Sequence, residues 1–164
     1  MADTLRYTRK HMALHWTIAV LVAVQFLAAD AMGSAFDARM EAGSTGSGWT
    51  SGALFHAILG ASIGLLMLWR LMIRLNSDIP PPPQDEPDAL QVISRITHWL
   101  FYAILIGMPI AGALAWFFEL DWMAEVHDIT GKVLLGLIAL HIAGAAYHHF
   151  VKGDHQVIRR MIPR

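Results

Sequence analysis

The sequence predicts an all-α protein, a transmembrane four-helix bundle with both termini cytoplasmic. Three observations carry that expectation. Of 164 residues, 55% are hydrophobic and only 15% charged, where soluble domains average about 25% charged. Four stretches stay mainly apolar for the roughly 20 residues that a helix needs to cross a bilayer. Most basic residues fall on one side of these stretches. The length fits one domain over residues 1–164. With 12 Lys+Arg against 13 Asp+Glu, no global basic field points to nucleic acid. The absence of cysteine excludes disulfide frameworks, thiolate zinc sites, iron–sulfur ligation and cysteine nucleophiles.

The first span is expected over residues 13–32, which carry no charge before Asp30. A secretory signal is its competing reading, because Lys10 precedes the apolar run and Ala29-Asp30-Ala31 mimics a cleavage site. The run is long for a signal core, so a retained span is expected. The second span covers residues 52–74, with Arg70 and Arg74 at its end. The third, residues 96–118, is the cleanest, and Pro109 should kink it. The fourth, residues 126–151, carries His127, Lys132, His141, His148 and His149, and so should face protein or a cofactor rather than lipid.

Charge sets the orientation. Ten of the 12 basic residues flank one side, leaving Arg39 and Lys132 on the other. The positive-inside rule then places both termini in the cytoplasm. The outer loops carry Asp30, Asp37, Glu41, Glu119, Asp121 and Glu125. All six Trp lie near expected helix ends, as an aromatic belt requires. Residues 43–52 read as a flexible outer connection, residues 79–87 as a stiff polyproline spacer, and residues 153–164 as a short cytoplasmic tail.

Nine histidines are the oddity of so apolar a chain. An unpartnered His in hydrocarbon costs several kcal/mol, and a lone one is usually hydrogen-bonded structure. Spacing changes that expectation. His127 and His141 are 14 positions apart, about 40° short of four turns and about 21 Å along a helix axis. They share one face at two depths. His15, near the inner end of the first span, matches His141 in depth, and His56, near the outer end of the second, matches His127. Two His–His pairs result, and facing imidazoles can clamp a haem iron axially. Iron held on both faces leaves no position for oxygen binding or peroxidase chemistry.

Gly60 and Gly131 each follow a paired His by four residues, which would leave room for a porphyrin. For Gly60 and Gly64 a small-residue helix contact is the competing reading. Zinc is the rival metal, but it prefers four tetrahedral ligands, and these histidines separate into two pairs. His98 is expected as a non-ligand level with the inner pair. His11 joins Arg9 and Lys10 in a basic cluster suited to haem propionates or lipid phosphates. His148, two turns beyond His141, could hydrogen-bond a quinone. His149 and His155 are expected to be solvated.

Taken in order, several pieces resemble the bacterial cytochrome b561 family. They are Leu14-His15-Trp16, Phe55-His56, Trp69-Arg70 with Arg74 and the prolines 80–83, His127 to His141, and Ala146-Tyr147-His148-His149-Phe150 with Lys152. The resemblance implies a di-haem b protein of the bacterial inner membrane, with His15, His56, His127 and His141 as axial ligands and a quinone as redox partner. One branch is similar to a superoxide oxidase that passes electrons from periplasmic superoxide to ubiquinone, and His148 matches a His near the quinone there. Superoxide is an anion, whereas the outer loops are acidic. Lys132 would have to supply a local positive entrance, which makes Lys132 and His148 the candidate catalytic residues. Two other readings remain: a haem-bearing anchor subunit of a hydrogenase or dehydrogenase complex, and a haem-free carrier using its histidines for protons or zinc.

Overall fold

The computed structural model describes residues 7–42, 48–77 and 87–152, together with positions 158 and 161. The proline run 80–83, the Gly-Ser stretch 43–47 and most of the tail, including His155, lie outside the described residues. Among the described residues there are five helices and no strand: α1 (Arg9–Leu27), α2 (Ala29–Ala42), α3 (Ser51–Leu75), α4 (Asp88–Phe118) and α5 (Asp121–Phe150). All but α2 are long and apolar enough to cross a membrane. They alternate in direction. One end of the bundle carries Arg9, Lys10, Arg70, Arg74, Arg95 and Lys152, and the other carries Asp30, Asp37, Glu41, Glu119, Asp121 and Glu125. These are the basic and acidic ends below.

The helix starts have identifiable caps. Thr8 accepts from the His11 N–H, and Thr50 from the Ala53 N–H, each satisfying a donor that the first turn leaves unpaired. At the end of α3 the Asn76 side chain donates to the Met72 carbonyl at 2.7 Å. Inside the bundle, Leu14, Ile18 and Val22 of α1 meet Leu59, Ile63 and Met67 of α3, joined by Tyr102 and Leu105 of α4. Both rows step by four residues, the spacing that lets the ridges of one helix fill the grooves of another. The outward faces are apolar as well: Leu65, Ile110 and Leu135 are each more than half exposed. Such an inside-and-out apolar surface is stable only when lipid covers it.

Packing is unequal around the bundle. α1 lies on α3, α3 on α4 and α4 on α5, so α5 leans principally on α4. Leu134 is its one buried residue among those described. Pro109 sits within α4, which continues on both sides of it. Its ring meets α3 at Gly64, where a Cβ would lie 3.1 Å from the Pro109 Cγ. Gly64 therefore serves the close helix contact.

The first span is shorter than expected. α1 ends at Leu27, Ala28 closes it with its N–H on the carbonyls of Val24 and Gln25, and residues 29–32 open a separate helix. The apolar run stops where Asp30 must reach a polar environment, in the first turn of α2, where its charge suits the helix dipole. The fourth and third spans start earlier than expected, at Asp121 and Asp88. α2 packs on the start of α3, and Ala35 and Phe36 bury with Ala53, Ala115 and Trp116 in a second apolar cluster. Trp116 is thus no belt residue. It is 2% exposed, packed against Trp49 with ring centroids 4.4 Å apart and planes at 42°, and covered by the Arg39 guanidinium at 5.3 Å. Arg39 also pairs with Glu119 at 3.0 Å, binding α2 to the end of α4.

The tightest approach in this region is at Gly52, where a Cβ would fall 2.6 Å from the Ala31 Cβ. Gly52→Ala should therefore push α2 away and destabilise the acidic end by about 1–3 kcal/mol, the usual range for overpacking. Thermal unfolding of the detergent-solubilised protein would show it as a lowered midpoint.

Candidate functional site

The unequal packing leaves α5 facing α1 and α3 chiefly through imidazoles. At the basic end, His15 of α1 and His141 of α5 have ring centroids 6.2 Å apart, with planes at 64°. At the acidic end, His56 of α3 and His127 of α5 are 6.3 Å apart, with planes at 58°. The structure therefore brings together the two pairs that spacing and depth anticipated. All four rings are half-buried.

These separations can be tested against a shared metal atom. A metal–imidazole bond is about 2.0–2.1 Å, and a five-membered ring of ~1.35 Å bonds has its nitrogen about 1.15 Å from its centre. Two imidazoles on opposite sides of one atom would then have centroids about 6.3–6.5 Å apart. Both pairs, at 6.2 and 6.3 Å, lie at the short end of that separation. The angles between ring planes would not prevent both rings from holding one metal atom, because an imidazole ligand can rotate about its own metal–nitrogen bond. Among the described residues, no three or more His, Asp or Glu side chains gather as a metal site, so the arrangement offers paired ligation rather than a tetrahedral cage.

The surroundings orient the rings. His127 Nδ1 lies 3.1 Å from the Met108 carbonyl; donating there leaves Nε2 as the free ligand nitrogen, the usual way a protein sets the tautomer of a metal-binding His. Gly112 makes this possible, since a Cβ there would stand 3.2 Å from His127 Cε1 and 3.4 Å from Nδ1. Neither Met108 nor Gly112 was visible as functional from spacing alone. Both lie one helix away from the residue they position. For His56 the Ala28 carbonyl faces the ring, yet its buried Nδ1 makes no complete hydrogen bond. His141 is bounded by the edges of Phe101 and His98, each with centroids at 5.4 Å. His98 Nδ1 is taken by the Ser94 carbonyl at 2.6 Å, and its separation from His141 is shorter than an opposed ligand pair requires.

The glycines divide. Gly60 does not leave open space beside His56. Its bare face is covered by the Gln25 amide, whose nitrogen lies 3.1 Å from where a Cβ would be and donates to the His56 carbonyl at 3.1 Å. Gly131 faces only the Met108 methyl at 3.8 Å, an ordinary contact with a flexible side chain. Lys132 bonds to Asp128 at 2.6 Å on an exposed face of α5, so its charge is already matched. His148 is half-buried beside Tyr147, with ring centroids at 6.0 Å.

A four-span bundle with imidazole pairs stacked at two depths defines a class, the membrane proteins that carry metal redox groups between helices. Comparison with known sequences narrows it: the sequence profile of the prokaryotic cytochrome b561 family matches residues 6–164, and the chain belongs to that family. It is 28% identical to cytochrome b562 of Cereibacter sphaeroides, with 96% of each chain covered. It is 23% identical to the probable superoxide oxidase CybB of Yersinia pestis, over 95% of this chain and 96% of that one. Cytochrome b561 homolog 1 of Escherichia coli K12 is 24% identical, over 97% and 98%. The chain is accordingly a multi-pass membrane electron-transfer protein of the haem b type.

Gly112→Val should displace the His127 ring and lower haem content per chain, while leaving the helical far-UV spectrum of the bundle intact. Pyridine haemochrome assay against protein concentration reads the first, and circular dichroism the second.

Proposed function

We propose that His15 with His141, and His56 with His127, are the axial ligands of two haem b groups, and that the chain passes electrons from a donor at the acidic end to membrane quinone at the basic end. The matched separation of both pairs, that of two imidazoles on one atom, carries this reading. When bound, haem b supplies one-electron iron redox chemistry. The chain supplies ligands, orientation and a low-dielectric interior. Met108 and Gly112 fix His127, Gln25 packs behind His56, and His98 and Phe101 bound His141.

The basic end is cytoplasmic under the positive-inside rule, both termini lie there, and the membrane is the bacterial inner membrane. The donor is superoxide, a reading supported by the relative named as a probable superoxide oxidase. Two superoxide anions each lose one electron to become dioxygen, and ubiquinone gains two electrons and two protons. We assign His148, two turns beyond His141, the role of holding a proton near a quinone carbonyl. Lys132 is the candidate entry cation, masked by Asp128.

The founding test is haem per chain with a reduced-minus-oxidised spectrum. Two low-spin haems are expected, and alanine at any one of the four histidines should remove one and retain the other. A colourless protein, or one haem in the wild type, would overturn the reading. The entry role of Lys132 is tested by stopped-flow superoxide oxidation. Lys132→Gln should slow it, and Asp128→Asn should speed it, with both differences shrinking as salt rises. Rates indifferent to both substitutions would remove Lys132 from the mechanism.

A further inference from the structure

α3 and α5 run in the same direction, and each places a His at the acidic end: His56 and His127. Fourteen residues on, α5 has His141, its basic-end imidazole. At the same offset α3 has Arg70. The register that stacks the two histidines of α5 on one face thus puts a guanidinium on the matching face of α3, level with the basic-end pair. The structure agrees: Arg70 is the charged neighbour of His15, His98 and His141. It is half-buried, and its Nη1 donates to the His11 carbonyl at 2.6 Å. Among the described residues no carboxylate pairs with it; Tyr102 is its side-chain partner.

Next to it is a buried imidazole nitrogen without a partner. His11 precedes His15 by one turn and is 3% exposed. The Thr8 hydroxyl lies 3.4 Å from its Nδ1, while its buried Nε2 has no partner. With Nδ1 accepting from the Thr8 hydroxyl, Nε2 carries the proton; that donor and a cation with no carboxylate partner, both at the edge of a membrane bundle, call for an anion. A lipid phosphate would have to reach a His that is almost wholly enclosed. A porphyrin held between His15 and His141 brings its own carboxylates to this depth.

We infer that Arg70 and His11 form a carboxylate site that holds a propionate of the haem bound between His15 and His141. This rests on the ligand assignment proposed above. Arg74 braces the site from outside, its guanidinium lying over Trp99 at 6.0 Å and Tyr102 at 5.8 Å.

The test compares wild type, Arg70→Gln, Arg70→Lys and His11→Leu, purified as full chains in nanodiscs. Arg70→Gln should release the basic-end haem to apomyoglobin at least tenfold faster. It should also lower that haem's midpoint potential by at least 59 mV, a tenfold shift in a one-electron equilibrium, since losing a cation disfavours the added electron. Arg70→Lys should recover part of both effects, and His11→Leu should speed release with a smaller change in potential. The acidic-end haem is the internal control for folding.

Reconstitution with the dimethyl ester of the same haem closes a double-mutant cycle. Wild type should lose affinity on esterification, and Arg70→Gln should not lose more. Additive losses overturn the proposal. So does an Arg70 effect that depends on phosphatidylglycerol against phosphatidylcholine and ignores esterification, since the cation then serves lipid phosphate. A wild type without haem at the basic end sinks the ligand assignment instead, and is distinguishable by its spectrum.

Discussion

Fourteen residues of α-helix advance about 21 Å and return to within about 40° of the starting direction. That spacing separates His127 from His141 and, on a helix running the same way, His56 from Arg70. It lets a single helix face serve two depths of a bilayer. The rest of the architecture follows from keeping that face turned inward without closing over it. Among the described residues α5 fully buries only Leu134, and it relies on α4 for most of its support. It meets α1 and α3 through Leu134 in the shared apolar core and through two facing imidazole pairs, His141 with His15 and His127 with His56.

Holding a helix by one neighbour demands a stiff neighbour, and α4 is built for it. Its junction with α5 is only Glu119 and Leu120, with Glu119 in the left-handed region at φ 54°, a conformation usually left to Gly at a helix end. The Glu119 carboxylate is tied to Arg39, so the strained turn is also a point where α2 is anchored. Lower down, Pro109 presses on Gly64 of α3. Met108, the residue before it, offers its carbonyl to His127. A proline in mid-helix removes one backbone donor and crowds the preceding turn. Here that local irregularity falls where α4 must touch α3 with one side and orient a His of α5 with the other.

The spans, the helical class and the two His pairs were legible because they rest on one-dimensional quantities: apolar length, charge side and residue spacing. What was missed depends on contacts across helices. α2 has an apolar series, Met32, Ala35, Phe36 and Met40, at helical spacing. It was masked because residues 29–32 extend the hydrophobic run of α1 and invite a longer span. Trp116 reads as a belt residue by position, but the return of α2 buries it. Gly60 looked like space for a flat group beside His56. The Gln25 amide, 31 positions before His56 in the chain, takes that space. Gly112 has nothing in its own neighbourhood to mark it, since its significance is the His127 ring of another helix.

The charges of the two ends are arranged differently, and this bears on direction. At the acidic end both cations are matched, Arg39 by Glu119 and Lys132 by Asp128, beside further carboxylates such as Glu125 and Asp121. At the basic end Arg70, near His15, His98 and His141, has no carboxylate partner from the chain among the described residues, and the propionate assigned to it above would belong to the basic-end group itself. An added electron is stabilised by a nearby cation and opposed by nearby anions, and in a medium of low dielectric both effects are felt over longer range. On the ligand assignment proposed here, the fixed charges of the chain therefore make the basic-end centre the better electron acceptor of the two. On that assignment the gradient would run from the acidic end toward the end that carries His148. On the donor proposed above, the carboxylates that would hinder approach of an anion would also favour onward movement of its electron.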